Sequence, residues 1–200
     1  MPNTTWNPAD KTNCTLTGSN LVATTAAGGG GVRGVDAKTA GKFYVEYTYT
    51  TLNTNSIAAG IALFTTNLAT LATGAAYAIR LNGNISVNNS LSGSTLGAIS
   101  AAAVIGVAVD FTAQLVWFRK APSGSWNGSG SADPATGVGG VSISAIAGSL
   151  FPVMGGSTSD SITANFGDTA FTGTVPSGFT AGFPAGGGAA AAQACVMVLA

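Results

Sequence analysis

The side chains that most often perform catalysis are scarce in this chain of 200 residues. It contains no histidine, which excludes a Ser-His-Asp or Cys-His arrangement, a histidine metal site and a histidine general base within one chain. The seven carboxylates are scattered, and the closest acidic pair, Asp160 and Asp168, flanks a predicted strand instead of forming a metal-binding loop. A glycosidase would need two converging carboxylates, for which Glu46 and Asp110 are the candidates. Both have simpler structural explanations, so we expect no enzyme activity, no cofactor and no metal.

A run of glycines before Arg33 resembles a phosphate-binding loop only at first sight. The P-loop requires a Gly-Lys-Ser/Thr ending that opens a helix, and the sequence AAGGGGVRG lacks it. We therefore predict a flexible loop over residues 26–31.

Seven Lys plus Arg balance seven Asp plus Glu, and only 7% of residues are charged. No basic surface for nucleic acid or an anionic membrane is predicted from that composition.

A Gly-, Ser- and Pro-rich segment over residues 121–140 contains the best candidates for ligand binding. A loop of this length within a compact domain is usually functional or disordered. An exposed tryptophan beside an amide is a common way to hold a sugar ring or a partner's side chain. We predict Trp126 and Asn127 as ligand-binding residues. The alternative is that Trp126 folds down and plugs one end of the domain.

The composition changes at residue 182 to a Gly- and Ala-rich stretch with an apolar end. That stretch is too short to span a bilayer, so no membrane insertion is expected. We predict a linker and docking tail over residues 182–200 that adds to a neighbouring subunit, with packing onto its own domain as the alternative. The assembly residues would be Val196, Met197, Val198 and Leu199.

The remaining composition favours strands joined by turns, because Thr, Ser, Asn and 29 glycines fill the polar positions. We expect one all-β domain over residues 1–181, without the basic and apolar regions of a secretory signal at its start. A net charge of zero favours association, so part of the surface is expected to be buried in an assembly. Cys14 and Cys195 lack metal-ligand spacing and are predicted to be buried free thiols.

Alternating apolar residues predict the main strands. The sequence GKFYVEYTYT from Gly41 gives a long strand with one apolar face, and IAAGIALF from Ile57 gives a strand in a crowded interior. An Asn82-Gly83-Asn84 turn between YAIRL and ISV predicts a hairpin. Residues 67–74 are predicted to form a short loop or a single helical turn.

A second hairpin over residues 104–120, VIGVAVDFTAQLVWFRK, is the predicted centre of the domain. Asp110 is expected to accept backbone hydrogen bonds in its turn, and Phe111 to bury its ring. Further strands are predicted at residues 141–146, at LFPVMGG with Pro152 at an edge, and at SITANF. The segment FTGTVPSGF over residues 171–179 is expected to wrap across a sheet edge.

Five of these segments occur in the order of a known family. GKFYVEY, IAAGIAL, VIGVAVDFTAQLVWFRK, LFPVMGG and ITANFGDTAF with VPSGF resemble the signature strands of the SPRY domain, a B30.2-related and concanavalin-like β-sandwich. The likeness runs from TWNPAD at Thr5 to Phe179 and is greatest to the versions encoded by bacteriophages and prophages. It implies two antiparallel sheets and a non-enzymatic binding or assembly role, with ligands contacted by loops at one end.

The resemblance and the composition together predict a structural protein of a phage virion. A capsid decoration protein, a fibre or a tail-associated subunit would be assembled in the host cytoplasm and remain in the particle. The expected partners are other virion proteins or copies of the chain itself. The alternative is an adhesin that attaches to a host-surface glycan or protein through the loop around Trp126.

Overall fold

Two antiparallel sheets pack face to face in the computed structural model, which describes residues 1–54, 56–71, 76–87, 90–146 and 148–186. The first sheet has the order β1-β4-β13-β6-β7-β8-β9 and the second β12-β11-β10-β5-β14-β3-β2, with the short β15 parallel to β5. The predicted all-β sandwich is confirmed. Its strands are β1 (Trp6–Thr12), β2 (Cys14–Thr17), β3 (Val22–Thr25), β4 (Gly30–Gly34), β5 (Lys42–Thr51), β6 (Ala58–Leu63), β7 (Ala76–Arg80), β8 (Asn84–Val87), β9 (Ser90–Thr95), β10 (Val104–Asp110), β11 (Leu115–Lys120), β12 (Val141–Ser142), β13 (Leu150–Gly156), β14 (Ser161–Asn165) and β15 (Thr180–Ala181).

The core lies between the two sheets and follows the period-2 pattern of the sequence. On β5, Val45, Tyr47 and Tyr49 point inward, and the two tyrosine hydroxyls donate to backbone carbonyls of the facing sheet. Trp6 packs against Tyr47 and Phe166 at ring-centroid distances of 6.0 and 5.0 Å. Burial of large aromatic side chains in this layer supplies much of the hydrophobic stabilisation of the fold.

The β10–β11 hairpin lies at the centre of the second sheet, where β10 pairs with both β11 and β5. In its turn, Asp110 Oδ1 accepts from the Ala113 N–H at 2.8 Å, and Oδ2 lies 3.1 Å from Lys42 Nζ. Phe111 is buried in the core. The predicted turn role of Asp110 is confirmed. We call the end of the sandwich with this turn the turn end, and the opposite end, where β9 and β11 finish, the loop end.

The end of the glycine-rich stretch belongs to a buried internal strand, so the predicted loop over residues 26–31 is wrong at its last two residues, Gly30 and Gly31. β4 lies between β1 and β13. A Cβ atom on Gly31 would lie 2.5 Å from the Met154 carbonyl oxygen, and one on Gly30 would lie 2.4 Å from that of Asn13. Glycine is required here because neighbouring backbone approaches too closely for any side chain. Glycine has a low strand propensity, so the local sequence does not predict this strand, which is stabilised by close packing against neighbouring backbone.

Three other expectations need correction. Strand β13, which contains Pro152, lies inside its sheet between β4 and β6 and not at an edge. Pro152 is opposite Ile61 of β6, and the pairing of β13 with β4 begins only at the next residue, Val153. The predicted strand over residues 141–146 is a two-residue strand followed by the 3₁₀ turn Ser144–Ile146. The composition of TWNPAD predicts a turn-rich opening, but most of this segment is strand β1, whose inward face is fixed by the fully buried Trp6.

The outer faces of both sheets are covered. The 3₁₀ turn Leu68–Thr70, which fits the predicted helical turn, packs on the alanines of β6 and β7. On the second sheet, residues 121–140 and 171–179 lie over an apolar cluster, so the second segment covers a face and does not wrap across an edge. The buried cluster comprises Tyr44, Ala108, Trp117, Trp126, Ala132 and Phe179.

Packing continues past residue 181. Phe183 is buried in the core, the Thr4 N–H donates to its carbonyl at 2.8 Å, and the Ala185 N–H donates to the Pro2 carbonyl at 2.8 Å. Cys14 is a buried free thiol. Cys195 and the predicted assembly residues, Val196 to Leu199, lie outside the described residues. Among the described residues, no helix has the length and hydrophobicity that crossing a bilayer requires.

Candidate functional site

An open groove of about 270 Å³ lies at the loop end of the sandwich. It forms where the end of β9 meets the first part of the loop over residues 121–140. Loops held by a rigid sheet are the usual place for binding residues. The groove is lined by Thr95, Leu96, Lys120, Gly124, Ser125 and Gly128.

Glycine brings the two walls of this groove together. A Cβ atom on Gly128 would lie 2.0 Å from the Thr95 carbonyl oxygen, and the φ angle of Gly128 is +70°. Gly83 approaches the Gly97 carbonyl oxygen equally closely, which fixes the β7–β8 turn against the segment after β9. No other residue type fits either position without moving the backbone. The groove therefore depends on two backbone contacts as much as on side chains.

The polar groups of the groove are hydroxyls and one ammonium. The Thr95 hydroxyl accepts from the Gly97 N–H at 3.1 Å, and Lys120 Nζ donates to the Ala98 carbonyl at 2.8 Å. Ser125 is exposed and makes no capping hydrogen bond to the 3₁₀ turn that follows it. Lys120 keeps further donor capacity, because an ammonium has three N–H groups. These groups suit a polar or anionic segment of a partner.

Trp126 and Asn127, the predicted ligand-binding residues, support the groove and do not line it. Trp126 is 9% exposed, with the Arg119 guanidinium 4.4 Å from its ring centroid and the Tyr44 ring edge-on at 6.3 Å. Trp126 is folded down onto the domain, as the alternative to ligand binding predicted. Trp126 is buried because the outer face of the second sheet offers apolar and aromatic surface to cover.

Asn127 is 5% exposed and is occupied by the chain's own backbone. Its carbonyl accepts from the Phe118 N–H at 2.8 Å, and its amide donates to the Val116 and Gly139 carbonyls at 3.3 and 2.9 Å. A φ of +49° at Asn127 aims the side chain at the strand. Both N–H groups of the amide are used, so its role in this conformation is to hold the loop on β11.

Beneath the loop, a buried carboxylate holds residues 171–174, which we call the strap. Glu46 is 2% exposed and accepts from the Thr172 and Gly173 N–H groups at 2.8 and 2.7 Å and from the Tyr44 hydroxyl at 2.7 Å. Burial, together with the hydrogen bond to Glu46, raises the pKa of Tyr44. Arg119 links the strap to the Trp126 ring by donating to the Thr174 carbonyl. The strap and the loop are thus positioned as one unit.

The candidate catalytic carboxylates do not converge. Asp110 pairs with Lys42 and Glu46 with Gly106, so the two side chains lie four residues apart along the sheet, about 13 Å. A glycosidase pair requires at most about 9.5 Å. Asp160 is fully buried and accepts from the backbone N–H groups of Asn53, Thr54 and Ser157.

No metal site is evident in the part of the chain that the structure describes, where no three His, Cys, Asp or Glu residues cluster closely enough to hold an ion. Asp168, the other member of the closest acidic pair, is exposed and accepts from the Asn3 amide at 3.3 Å. Asp160 serves instead as a loop anchor between residues 53–54 and 157. The acidic residues of that pair therefore have separate structural surroundings.

A second and smaller cavity of about 110 Å³ lies at the turn end. It opens between the two sheets beside the β10–β11 turn. Its lining is nearly half polar, with Thr39 and Gln114 exposed at its mouth. The lining residues are Thr39, Phe111, Gln114, Ile143, Ile146, Gly148 and Leu150.

The loop that composition singled out borders the groove, whereas the two residues predicted in it, Trp126 and Asn127, are buried beside the groove. Ser125 and Gly128 belong to the segment that composition singled out, and the turn-forming Gly-Ser pattern there was the available signal. Thr95 gave no signal, because SLSGST lacks the apolar alternation of a strand and its partner in the groove is distant in the sequence. Lys120 ends the predicted central hairpin, and no local pattern indicates that it also lines the groove.

Comparison with known proteins rests on structure alone. No protein-family model and no curated protein matches the sequence. The SPRY domain of human HERC1 is similar with a TM-score of 0.65 at 14% identity, over 82% of this chain and 99% of that one. The PSpry domain of TRIM65 is similar with a TM-score of 0.59 at 13% identity, over 82% and 90%. Stonustoxin is similar with a TM-score of 0.55 at 13% identity, over 82% of this chain and 27% of that one.

These similarities agree with the motif order in the sequence. Identity below 15% supports the fold and leaves the function open. Two antiparallel sheets and the central hairpin are both present. The chain has the fold of a SPRY domain.

Proposed function

We propose that this chain is a non-enzymatic binding module that contacts a protein partner through the loop end. The groove between β9 and the loop over residues 121–140 is the observation that carries the proposal. It combines exposed hydroxyls, one ammonium and close backbone at the end of a rigid sandwich. Such a surface can hold an extended polar segment by hydrogen bonds to backbone and side chains.

A protein partner suits this groove better than a stacked sugar. Sugar stacking needs an open aromatic face, whereas the Trp126 ring is covered by Arg119 and packed against Tyr44. The Trp126 ring, the aromatic group of this loop, therefore has no open face on which a sugar could stack. A glycan held by the Trp126 loop, as an adhesin would use, would require the loop to open and break the three hydrogen bonds of Asn127.

The absence of catalysis is supported by the carboxylates. Glu46, Asp110 and Asp160 bind backbone N–H groups, and the sequence has no histidine to serve as a base. A carboxylate whose oxygens already accept hydrogen bonds from the chain's own backbone is poorly placed for proton transfer to a substrate.

We further propose that the module is a structural protein of a bacteriophage virion: a capsid decoration protein, a fibre or a tail-associated subunit. The support is the phage-type order of the sequence motifs and a surface with few charges and many hydroxyls. Its partners would be other virion proteins, copies of itself or a host-surface protein. The virion would be its final location.

Two experiments test these proposals separately. For the location, particles purified by density gradient from cells that carry the gene are probed with an antibody against the chain. Co-sedimentation with the particles is expected, and recovery only in the soluble fraction would contradict a virion role.

For the binding surface, fluorescently labelled protein is titrated onto host cells and purified particles. Ser125→Trp fills the groove and is expected to weaken binding at least about tenfold, the effect of losing a few hydrogen bonds at an interface. Thr17→Trp, an exposed position on the distant strand β2, is the matched control. Equal binding by both variants would exclude the groove as the binding surface.

A further inference from the structure

We infer that the groove at the loop end binds an acidic segment of its protein partner. One aspartate or glutamate carboxylate of that segment is held by the Lys120 ammonium and by the hydroxyls of Thr95 and Ser125, which line the groove. The inference rests on the proposed function and specifies the chemistry of the partner. It is carried by the hydrogen-bond donors of the groove, by the positions of the chain's own carboxylates and by the backbone of the groove wall.

The side chains of the groove offer hydrogen-bond donors. Lys120 Nζ donates to the Ala98 carbonyl at 2.8 Å and keeps further N–H groups. The Thr95 hydroxyl accepts from the Gly97 N–H and keeps its own O–H to donate, and the exposed Ser125 hydroxyl makes no capping hydrogen bond. Among the described residues, none that lines the groove has a carboxylate or amide side chain. The partner must therefore supply the acceptors, and a carboxylate is an acceptor without donors.

The charge of Lys120 is not neutralised by a side chain of the same chain. All Asp and Glu residues belong to the part of the chain that the structure describes, and the salt bridges there are made by Arg33 and Lys42. Asp160 precedes β14 at the loop end but is fully buried and lies three strands from β11, about 14 Å. That distance exceeds the Debye length of about 8 Å at physiological ionic strength. Although the net charge is zero, the groove is therefore electropositive and favours an anionic group.

The backbone of the groove wall favours a carboxylate over a phosphate. Phosphate groups are typically held by free backbone N–H groups or by arginine clusters. Here the Gly124 N–H donates to the Lys120 carbonyl at 2.8 Å, and the Gly128 N–H donates to the Ser125 carbonyl at 3.3 Å. Both glycine N–H groups of the wall are thus used within the loop. One ammonium and two hydroxyls match the single charge of a carboxylate.

Nuclear magnetic resonance titration of the isotopically labelled full chain tests the inference with a defined probe. The probe is a blocked tripeptide with glutamate between two serines, and the matched probe has glutamine in place of glutamate. We expect saturable shifts of the Ser125 and Gly128 amide signals with a dissociation constant of about 1 mM for so small a ligand. The glutamine probe should bind at least about tenfold more weakly, because it lacks the charge that strengthens these hydrogen bonds.

Two lysine variants with the same change of net charge show whether the ammonium is responsible. Lys120→Gln keeps an amide that can donate to the Ala98 carbonyl, so the fold around the groove is conserved. Lys11→Gln is the matched control, because Lys11 is exposed on β1 at the opposite edge of the first sheet from β9. We expect Lys120→Gln to bind the glutamate probe at least about tenfold more weakly than Lys11→Gln.

Four results of these titrations would overturn the inference: no shift of the groove signals, equal affinity for the two probes, equal binding by the two lysine variants, or tighter binding of inorganic phosphate than of the glutamate probe at the same signals. The last result would assign the groove to a partner that carries phosphate.

Titration onto host cells and purified particles separates this inference from the proposed function. We expect both Ser125→Trp and Lys120→Gln to weaken binding at least about tenfold relative to Lys11→Gln, with the effect of Lys120→Gln diminishing as the salt concentration rises. If Ser125→Trp weakens binding and Lys120→Gln binds as well as Lys11→Gln, the groove remains the binding surface and only the acidic partner is refuted. If neither variant weakens binding, the proposed function is refuted together with the inference.

Discussion

Replacing Glu46 with glutamine is expected to loosen the strap and to lower the free energy of unfolding by about 2 to 3 kcal/mol. The side chain is nearly isosteric, so packing is conserved. Oε1 accepts from Gly173 N–H and the Tyr44 hydroxyl, and Oε2 accepts from Thr172 N–H. If the glutamine oxygen takes the place of Oε1, its NH₂ group takes the place of Oε2 and faces the Thr172 N–H. Two donors then face each other, and this hydrogen bond is lost.

The magnitude follows from these contacts. One hydrogen bond to a charged acceptor is lost, at about 1.5 to 3 kcal/mol, and the other two become bonds to a neutral acceptor of about half the strength. Removing a buried charge returns part of this cost, because the carboxylate of Glu46 no longer has to be desolvated. We therefore expect the free energy of unfolding to fall by about 2 to 3 kcal/mol, which is less than the sum of the three hydrogen bonds.

Urea unfolding followed by tryptophan fluorescence measures the loss, since Trp6, Trp117 and Trp126 are all buried. Hydrogen exchange over residues 171–175 should accelerate in the same variant. Asp168→Asn is the matched control, because Asp168 is exposed, and should change stability by less than about 0.5 kcal/mol. A Glu46→Gln variant as stable as this control, with unchanged exchange in the strap, would refute the role of Glu46 as the anchor.

Three further predictions concern the loop, the groove and alkaline stability. Asn127→Ala should lower the free energy of unfolding by about 2 to 4 kcal/mol in urea titrations, because it removes the acceptor of the buried Phe118 N–H and the donors to the Val116 and Gly139 carbonyls. A loss under about 1 kcal/mol would show that the amide is dispensable. Gly128→Ala should cost about 2 kcal/mol or more, from the backbone strain at positive φ and the contact with Thr95, and should weaken partner binding, whereas unchanged binding and stability would contradict the close approach. Burial raises the pKa of the Cys14 thiol from 9.0 to about 11, so the stability that the neutral thiol contributes is complete below pH 9 and declines as the pH rises toward 11. Between pH 8 and 10, the free energy of unfolding should therefore fall by about 1 kcal/mol less in Cys14→Ala than in the unaltered protein. Equal falls in the two proteins would disprove this cause.

The parts of the fold that could be predicted are those in which side-chain pattern and strand geometry agree. The alternation in β5, the two runs of the β10–β11 hairpin and the Asn-Gly turn before β8 predicted elements that the structure contains. In each, inward apolar residues alternate with outward polar ones, or a turn residue has the required backbone freedom. Asp110 was assigned correctly for the same reason, because turn chemistry is local.

The parts that could not be predicted depend on contacts between distant residues. β4 is a strand because Met154 and Asn13 backbone approach its glycines, which no local pattern shows. The composition of the loop allowed Trp126 to be either exposed or folded down, and the choice depends on Arg119 and Tyr44 of the sheet below, which bury its ring. The groove joins Thr95 to Ser125 across 30 positions of sequence, and the same loop composition would suit many other arrangements.

Binding at the loop end is tested most directly by site-specific photo-cross-linking. A benzophenone amino acid is placed at Ser125 in the groove or at Thr17 on β2, and each protein is irradiated with host cells and with purified particles. We expect a discrete cross-linked protein from position 125 and none from position 17. The same products from both positions, or products from position 17 alone, would contradict a binding surface at the loop end.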